Sequence, residues 1–291
     1  MSGFLTALQH EVFLQHALIA GLLASVGCGV IGAYVVARRI GFMAGGIAHS
    51  VLGGMGVAYF FGASPVAGAL AAALLAALII GWVSLRLRQN EDTIIAALWA
   101  VGMAVGVIFI SRTPGYNMDL TSYLFGSILM VSSGDLWVMA VLDGLTLATV
   151  ALFSKQFLAV SFDEEFARTR GLRVEVFHIL LLCLVAVTVV VLIQVVGLIL
   201  VLALLTMPAA IAGQYRARLL PIMLFGVLLA AAFTCGGLAL SYAPDLPAGA
   251  TIIVLAGATY LLSLAASRLL MRRKGGKSSA LRPMARPVRR D

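Results

Sequence analysis

Charge is what this sequence lacks most. Only 11% of its 291 residues are Asp, Glu, Lys or Arg, and 62% are hydrophobic. Soluble domains carry about 25% charged residues, so this chain has too little polar surface to enclose its apolar content in water. Soluble architectures are excluded. Cysteine is also scarce. Cys28, Cys183 and Cys235 each lie inside an apolar run and share no short motif. They read as packing residues, not as a disulfide or zinc framework. No G-x-x-x-x-G-K-[ST] loop is present, so the chain is not read as a nucleotide-hydrolysing enzyme. No G-x-S-x-G signal or paired aspartates suggest an intramembrane protease. The opening MSGFLTALQHEVFLQH lacks the basic n-region and small-residue cleavage site of a standard signal peptide.

What is present is a succession of long apolar runs. A membrane-spanning helix needs ~20 mainly apolar residues. Runs of that kind fall at about 12–37, 41–62, 65–85, 92–112, 134–154, 175–194, 196–213, 219–242 and 249–269. The expected fold is all-α and polytopic, with eight or nine transmembrane helices. The uncertain point is 175–213, too long for one pass, where Gln194–Gly197 offers the only polar, flexible break. Two helices fit; one long tilted helix followed by a broken segment is the alternative.

The net charge of +8 belongs to the tail. From Arg268 onward there are nine basic residues and one acid, Asp291, while the rest of the chain balances. The expected organisation is a transmembrane domain over 1–270, then a basic, disordered cytoplasmic tail over 271–291. The internal basic loops agree. Arg38 with Arg39, Arg86 with Arg88, Lys155 through Arg173, and Arg216 with Arg218 fall on the side of the tail. The excess of positive charge marks that side as cytoplasm and puts the N-terminus outside. The tail's charge reads as attraction to anionic lipid, and no fold accompanies it that would suggest nucleic-acid binding.

Against this background GGIAHSVLGGMG, residues 45–56, is unusual. His49 is ten residues past Arg39, ~15 Å of helical rise, which is near the bilayer midplane. Gly45, Gly53 and Gly56 share its face. Glycine offers lipid nothing but admits another backbone, so this face packs on protein or a water-filled path. Neutral imidazole is a common ligand for zinc, manganese and iron. The alternative is a buried histidine bonded to a neighbouring carbonyl. Asp143, in LWVMAVLDGLTLATV, is the other candidate metal contact. It is merely interfacial if its helix begins close to it. His10, His16 and His178 lie near membrane boundaries and have no partner at helical chelate spacing, so surface or interfacial roles are expected. Gly102 and Gly106 form a small-residue packing pair.

The most polar internal piece is SFDEEFARTRGL, residues 161–172. Ser161 and Glu164 match a capping box. Asp163, Glu164 and Glu165 precede Arg168 and Arg170, as a helix dipole favours. Gly171 is a plausible stop. The result is a helix of about two turns, too short to span. Its apolar residues Phe162, Phe166 and Ala167 have no evident core. It is either a surface helix or a docking knob for a cytoplasmic partner.

The ordered set RRIGFMAGGIAHSVLGG, EDTIIAAL, LTSYLFGSIL, SFDEEFARTRGL, QVVGLILVLALLTMPAA and LPAGATIIVL resembles the zinc/manganese/iron ABC-transporter permeases. The likeness covers nearly all of 12–267. It implies a permease of the type II ABC importer kind. Its partners would be a second protomer, two cytoplasmic ATPases and an extracytoplasmic metal-binding protein. It makes residues 161–172 the coupling helix seated on the ATPase. No permanently bound cofactor is implied, only a transported metal and ATP on the partner. The family pattern in the second span is Gly-Asp-x-x-x-His. Here His49 matches the histidine, but Gly45 stands at the aspartate. Loss of a hard oxygen donor shifts the expected cargo toward zinc, with manganese or iron next. A proton-coupled secondary metal transporter is the rival, but it needs embedded carboxylates and only Asp143 qualifies.

Overall fold

The computed structural model describes residues 7–86, 91–113, 126, 128–244 and 246–279. Most of LTSYLFGSIL, Asp245 and the tail from 280 lie outside the described residues. The chain forms α1 (Val12–Ala37), α2 (Gly41–Phe60), α3 (Pro65–Arg86), α4 (Glu91–Ser111) and a 3-10 turn (Ile128–Met130). Next come α5 (Ser133–Leu152), α6 (Ser154–Phe162), α7 (Glu164–Thr169) and α8 (Val174–Val196). The last three are α9 (Leu198–Tyr215), α10 (Leu219–Tyr242) and α11 (Ala248–Ser279). No strand occurs among the described residues. Nine of these helices are long and apolar enough to cross a membrane. Their positions match the nine runs read from the sequence to within a few residues. The last helix continues through Ser279, into the stretch read as tail.

Local chemistry explains the boundaries. Between α1 and α2 the chain turns in three residues, with Arg39 in the left-handed region at φ 59°. The Ile40 N–H reaches back to the Val35 carbonyl at 3.0 Å and the Arg39 N–H to Val36 at 3.2 Å, closing the end of α1. This is the double carbonyl closure usually built on glycine. α4 opens with Glu91 and Asp92, favourable charges at the positive end of a helix. α5 opens with a reciprocal cap: Asp135 N–H donates to Ser132 Oγ at 3.2 Å, and Ser132 N–H donates to Asp135 Oδ2 at 3.0 Å. The break between α8 and α9 is at Gly197, whose φ of 80° and ψ of 161° suit glycine alone. The two-helix reading of 175–213 is the one adopted.

The bundle is organised around α1. Its stripe of Ala17, Ala20, Ala24, Cys28 and Ile31 is fully buried. It packs on α10, α9, α5 and α8. A second layer forms where α2 packs between α3 and α4, with α8 touching both α1 and α2. His178, expected at a surface, is instead 4% exposed within α8, and neither ring nitrogen has a hydrogen-bond partner. It is one turn into a helix whose inner face is packed, so nearness to a boundary in sequence did not mean exposure. His16 keeps its boundary role, with Nδ1 3.1 Å from the Val131 carbonyl oxygen.

Candidate functional site

Two places on the bundle carry chemistry. The first is His49, 8% exposed in the middle of α2. The glycines on its face do admit a neighbouring backbone. A Cβ on Gly53 would come 2.7 Å from the Gly102 carbonyl oxygen, and one on Gly56 2.6 Å from that of Gly106. The packing pair on α4 therefore closes on the glycine face of α2. Gly45 differs, because no backbone approaches it. Trp99 of α4 fills that space, with Cζ3 3.4 Å from where a Gly45 Cβ would stand.

The imidazole of His49 stacks on the Trp99 indole, with ring centroids 3.8 Å apart and planes 14° from parallel. Its Nδ1 is 3.1 Å from Met103 Sδ. The carbonyl bond expected of a plain buried histidine is thus replaced at Nδ1 by a contact with sulfur. Trp99 and Met103 are four residues apart on α4, so both reach the same face. Neither was singled out from sequence. The signal available was that Gly102 and Gly106, read as a packing pair, lie on that same face. Among the described residues no group of three or more His, Cys, Asp or Glu side chains could hold a metal ion.

Asp143 occupies a different place. α5 begins at Ser133, so Asp143 is mid-helix and 4% exposed, and the interfacial reading is corrected. The helix starts where Ser132 and Asp135 cap it, a full ten residues earlier than an interfacial acid would need. Asp143 Oδ1 faces Gly27, where a Cβ would come within 2.6 Å of it, with Thr188 Cγ2 3.5 Å from that same point. Asp143 Oδ2 and Thr188 Oγ1 are both buried without a hydrogen-bond partner. α5 packs on α1 and α8, whereas His49 is enclosed by residues of α4. The structure does not bring Asp143 and His49 together.

The second place is α6–α7. Asp163 separates the two helices in an extended conformation, and its Oδ1 accepts from the Phe166 N–H at 2.8 Å. The cap is therefore Asp163, not Ser161, which belongs to the last turn of α6. An aspartate directly before the helix needs no reach across an intervening turn. Glu164, expected to complete the box, instead pairs with Arg38 Nη2 at 2.5 Å. Burial pulls the Arg38 guanidinium below its ordinary value, and the Glu164 carboxylate opposes that shift. Gly171, at φ 78°, ends α7 as expected. Its N–H reaches Arg168 O at 2.9 Å, and Leu172 N–H reaches Ala167 O at 3.1 Å.

Ala167 does find a core, correcting the expectation that it had none: it packs with Val160 and Val174. Phe162 and Phe166 remain 65% and 51% exposed. The Arg170 guanidinium lies over the Phe166 ring, 5.1 Å from its centroid. Asp163, Glu165 and Arg168 are exposed beside them. These phenylalanines border a groove of about 1050 Å³ that also touches Tyr34, Lys155, Arg218 and Met223. Lys155, Arg218 and, through Glu164, Arg38 thus gather at one end of the bundle, as the sequence-based topology requires.

Among the described residues, then, nine helices are long and apolar enough to cross a membrane, an imidazole is enclosed in the middle of one of them, and an exposed, doubly capped short helix stands at the basic end. Residues 10–267 match the ABC 3 transport family. The chain is 46% identical over 268 residues to an uncharacterized membrane protein of Synechocystis sp., covering 92% of this chain and 95% of that one. It is 36% identical to the manganese transport system membrane protein MntC of Halalkalibacterium halodurans, covering 90% of each. Among solved structures, PsaBC from Streptococcus pneumoniae in complex with Fab superposes with a TM-score of 0.82 at 32% identity, covering 90% of this chain and 94% of that one. The chain belongs to the ABC 3 transport family and is a metal ABC-transporter permease.

Proposed function

We propose that this permease forms the membrane path of an ATP-driven importer of a divalent transition metal, with His49 touching the cargo in transit. Residues Ser161–Leu172, the end of α6 together with α7, act as the coupling segment, presenting Phe162 and Phe166 to a cytoplasmic ABC ATPase. Two ATPases, a second permease protomer and an extracytoplasmic metal-binding protein complete the assembly. The basic end faces the cytoplasm of a cell whose inner membrane holds the protein, and the N-terminus lies outside.

One observation carries this reading: the exposed α7 is tied by Glu164 to Arg38, at the end of the central helix. Movement of the ATPases would displace α7. Arg38 would pass that displacement to α1, which packs on α8. α8 in turn packs on α2, the helix that bears His49. Alternating access then needs no covalent chemistry in this chain. The proton-coupled rival gives way to membership of an ABC family, and α7 has no use in it.

Manganese is the first candidate cargo, supported by the names of relatives such as MntC. Zinc is the second reading, supported by the donors themselves: imidazole and thioether with no carboxylate beside them. The test is uptake in proteoliposomes containing the permease, its ATPase and its binding protein, across manganese, zinc and ferrous iron. Uptake should stop with a non-hydrolysable nucleotide. Uptake that persists without ATP and collapses with the proton gradient would restore the rival. His49→Ala should abolish uptake while co-purification with the ATPase survives; normal uptake would remove His49 from the path.

A further inference from the structure

We infer that Met103 is a cargo-selectivity residue, its thioether forming with His49 Nδ1 a two-atom clamp that favours thiophilic cations such as zinc and cadmium over manganese. This rests on the reading that His49 meets the cargo, takes the zinc side of the two cargo readings, and adds the second donor and its consequence.

The geometry is specific. Zinc–imidazole bonds are about 2.1 Å and zinc–thiolate bonds about 2.3 Å, and a neutral thioether binds no closer. Two donors 3.1 Å apart would subtend about 90° at an ion bound to both, narrower than the tetrahedral angle of zinc, so the pair must open by about half an ångström to hold one ion. The Nδ1–Sδ contact brings the two donors within about half an ångström of such a bite. Trp99 stacked at 3.8 Å holds the imidazole plane, so the adjustment that admits an ion falls on the flexible Met103 side chain. Without cargo the same contact is an N–H donor facing a sulfur acceptor. With cargo the ring carries its proton on Nε2 and offers the Nδ1 lone pair.

The selectivity follows from donor softness. Thioether sulfur suits soft and borderline cations, whereas manganese is best held by carboxylate, carbonyl and water. Gly45, one turn before His49 on the same face, offers no side chain, and Trp99 covers it. Sulfur is thus the donor present where oxygen is missing. Two donors also leave most of the ion's coordination to water, which lets it depart.

Trp99 supplies its own reporter. Trp82 and Trp137 are 57% and 73% exposed, so replacing both with phenylalanine leaves Trp99 as the sole tryptophan without touching the core. The purified full-length permease is titrated with cadmium, zinc and manganese while indole fluorescence is followed. Cadmium and zinc should perturb the emission at lower concentration than manganese. Met103→Leu, which conserves volume, should weaken cadmium and zinc at least tenfold and manganese less than twofold. Met103→Cys, which keeps a sulfur, should retain the preference and guards against a packing defect in the leucine variant. Unchanged cadmium affinity in Met103→Leu, with the response lost in His49→Ala, would overturn the role of Met103 and leave His49 standing. A response that survives His49→Ala would overturn the underlying reading of His49. No response of the parent protein to any of the three metals would overturn both.

Discussion

Arg38 and Glu164 join the end of the central transmembrane helix to the short helix α7, Nη2 to Oε1, at 2.5 Å. The arginine side chain is 8% exposed and the glutamate 36%. Such a pair matters less for what it adds than for what its loss leaves behind. Removing one partner of a buried ion pair costs ~3–5 kcal/mol because the other charge is stranded. The partly exposed glutamate places this pair toward the lower end of that range. Glu164→Ala should therefore lower the thermal stability of the detergent-purified permease and weaken stimulation of the ATPase. Arg38→Met combined with Glu164→Leu should recover stability, since no charge is stranded, but not stimulation. Recovery of both would mean that packing alone transmits motion from α7 to α1.

The docking knob gives a second expectation. Phe166 is 51% exposed and makes its visible contact with Arg170 of the same helix. Phe166→Asp should leave the permease folded and inserted, because nothing in the bundle depends on that ring. It should reduce ATPase stimulation at least tenfold by removing apolar surface from the contact. Asp163→Ala acts differently, withdrawing the acceptor of the Phe166 N–H and costing about 1 kcal/mol of helix stability. It should give a milder loss that deepens on warming. Unchanged ATPase stimulation by the Phe166 variant would place the docking surface elsewhere.

The spans were legible because membrane crossing imposes a length and a composition that tertiary packing cannot override. Gly197 was legible for a similar reason, as the only polar, flexible break in a run too long for one pass. The caps were less so: Ser161 and Asp163 can each cap a helix, and only the backbone at Asp163, extended at φ −151°, decides between them. His178 was misjudged because sequence gives distance along a helix, not the angle around it. Trp99 and Met103 were missed for a deeper reason. On a helix that is apolar all round, a tryptophan and a methionine look the same facing lipid or facing an imidazole. The glycine pair beside them marked the face, but nothing in one sequence says which helix that face meets.

That meeting of backbones makes a third expectation. Gly53 and Gly56 leave room for the carbonyls of Gly102 and Gly106, 2.7 and 2.6 Å from where a side-chain carbon would stand. Backbone cannot yield as a flexible side chain can. Gly53→Ala and Gly56→Ala should each destabilise the α2–α4 contact by about 1–3 kcal/mol, the usual range for forced overpacking. Both should also lower metal uptake, because His49 loses its fixed distance to Met103. Thermal unfolding in detergent reads the first effect and proteoliposome uptake the second. Wild-type stability in both variants would show that the two helices can separate without penalty.

Asp143 supports an expectation in which stability and transport move in opposite directions. Its Oδ2 is buried without a partner, and so is Thr188 Oγ1 beside it. Unsatisfied buried polar groups are costly, and a carboxylate more so than an amide. Asp143→Leu should therefore raise thermal stability, or leave it unchanged, in spite of the alteration at mid-membrane. If the acid is kept for transport, uptake should fall in the same variant, since strained polar groups persist where function needs them. Asp143→Asn separates charge from polarity, retaining the shape. Full uptake by both variants would make Asp143 a structural remnant rather than part of the path.

The last expectation concerns the missing carboxylate. Gly45 stands four residues before His49 on the same face, where a side chain would share the cargo's surroundings. A Cβ there meets Trp99 Cζ3 at 3.4 Å, so a first carbon fits but a carboxylate beyond it must displace the indole. Gly45→Asp alone should thus reduce uptake of every metal, because the acid unseats Trp99 and with it the imidazole. Adding Trp99→Val makes room for the carboxylate. The double variant presents an oxygen donor one turn from the imidazole and should shift preference toward manganese. Competition between manganese and zinc in proteoliposomes measures the shift as a ratio, which a general loss of folded protein leaves untouched. An unaltered ratio in the double variant would show that Gly45 and His49 do not face the same ion.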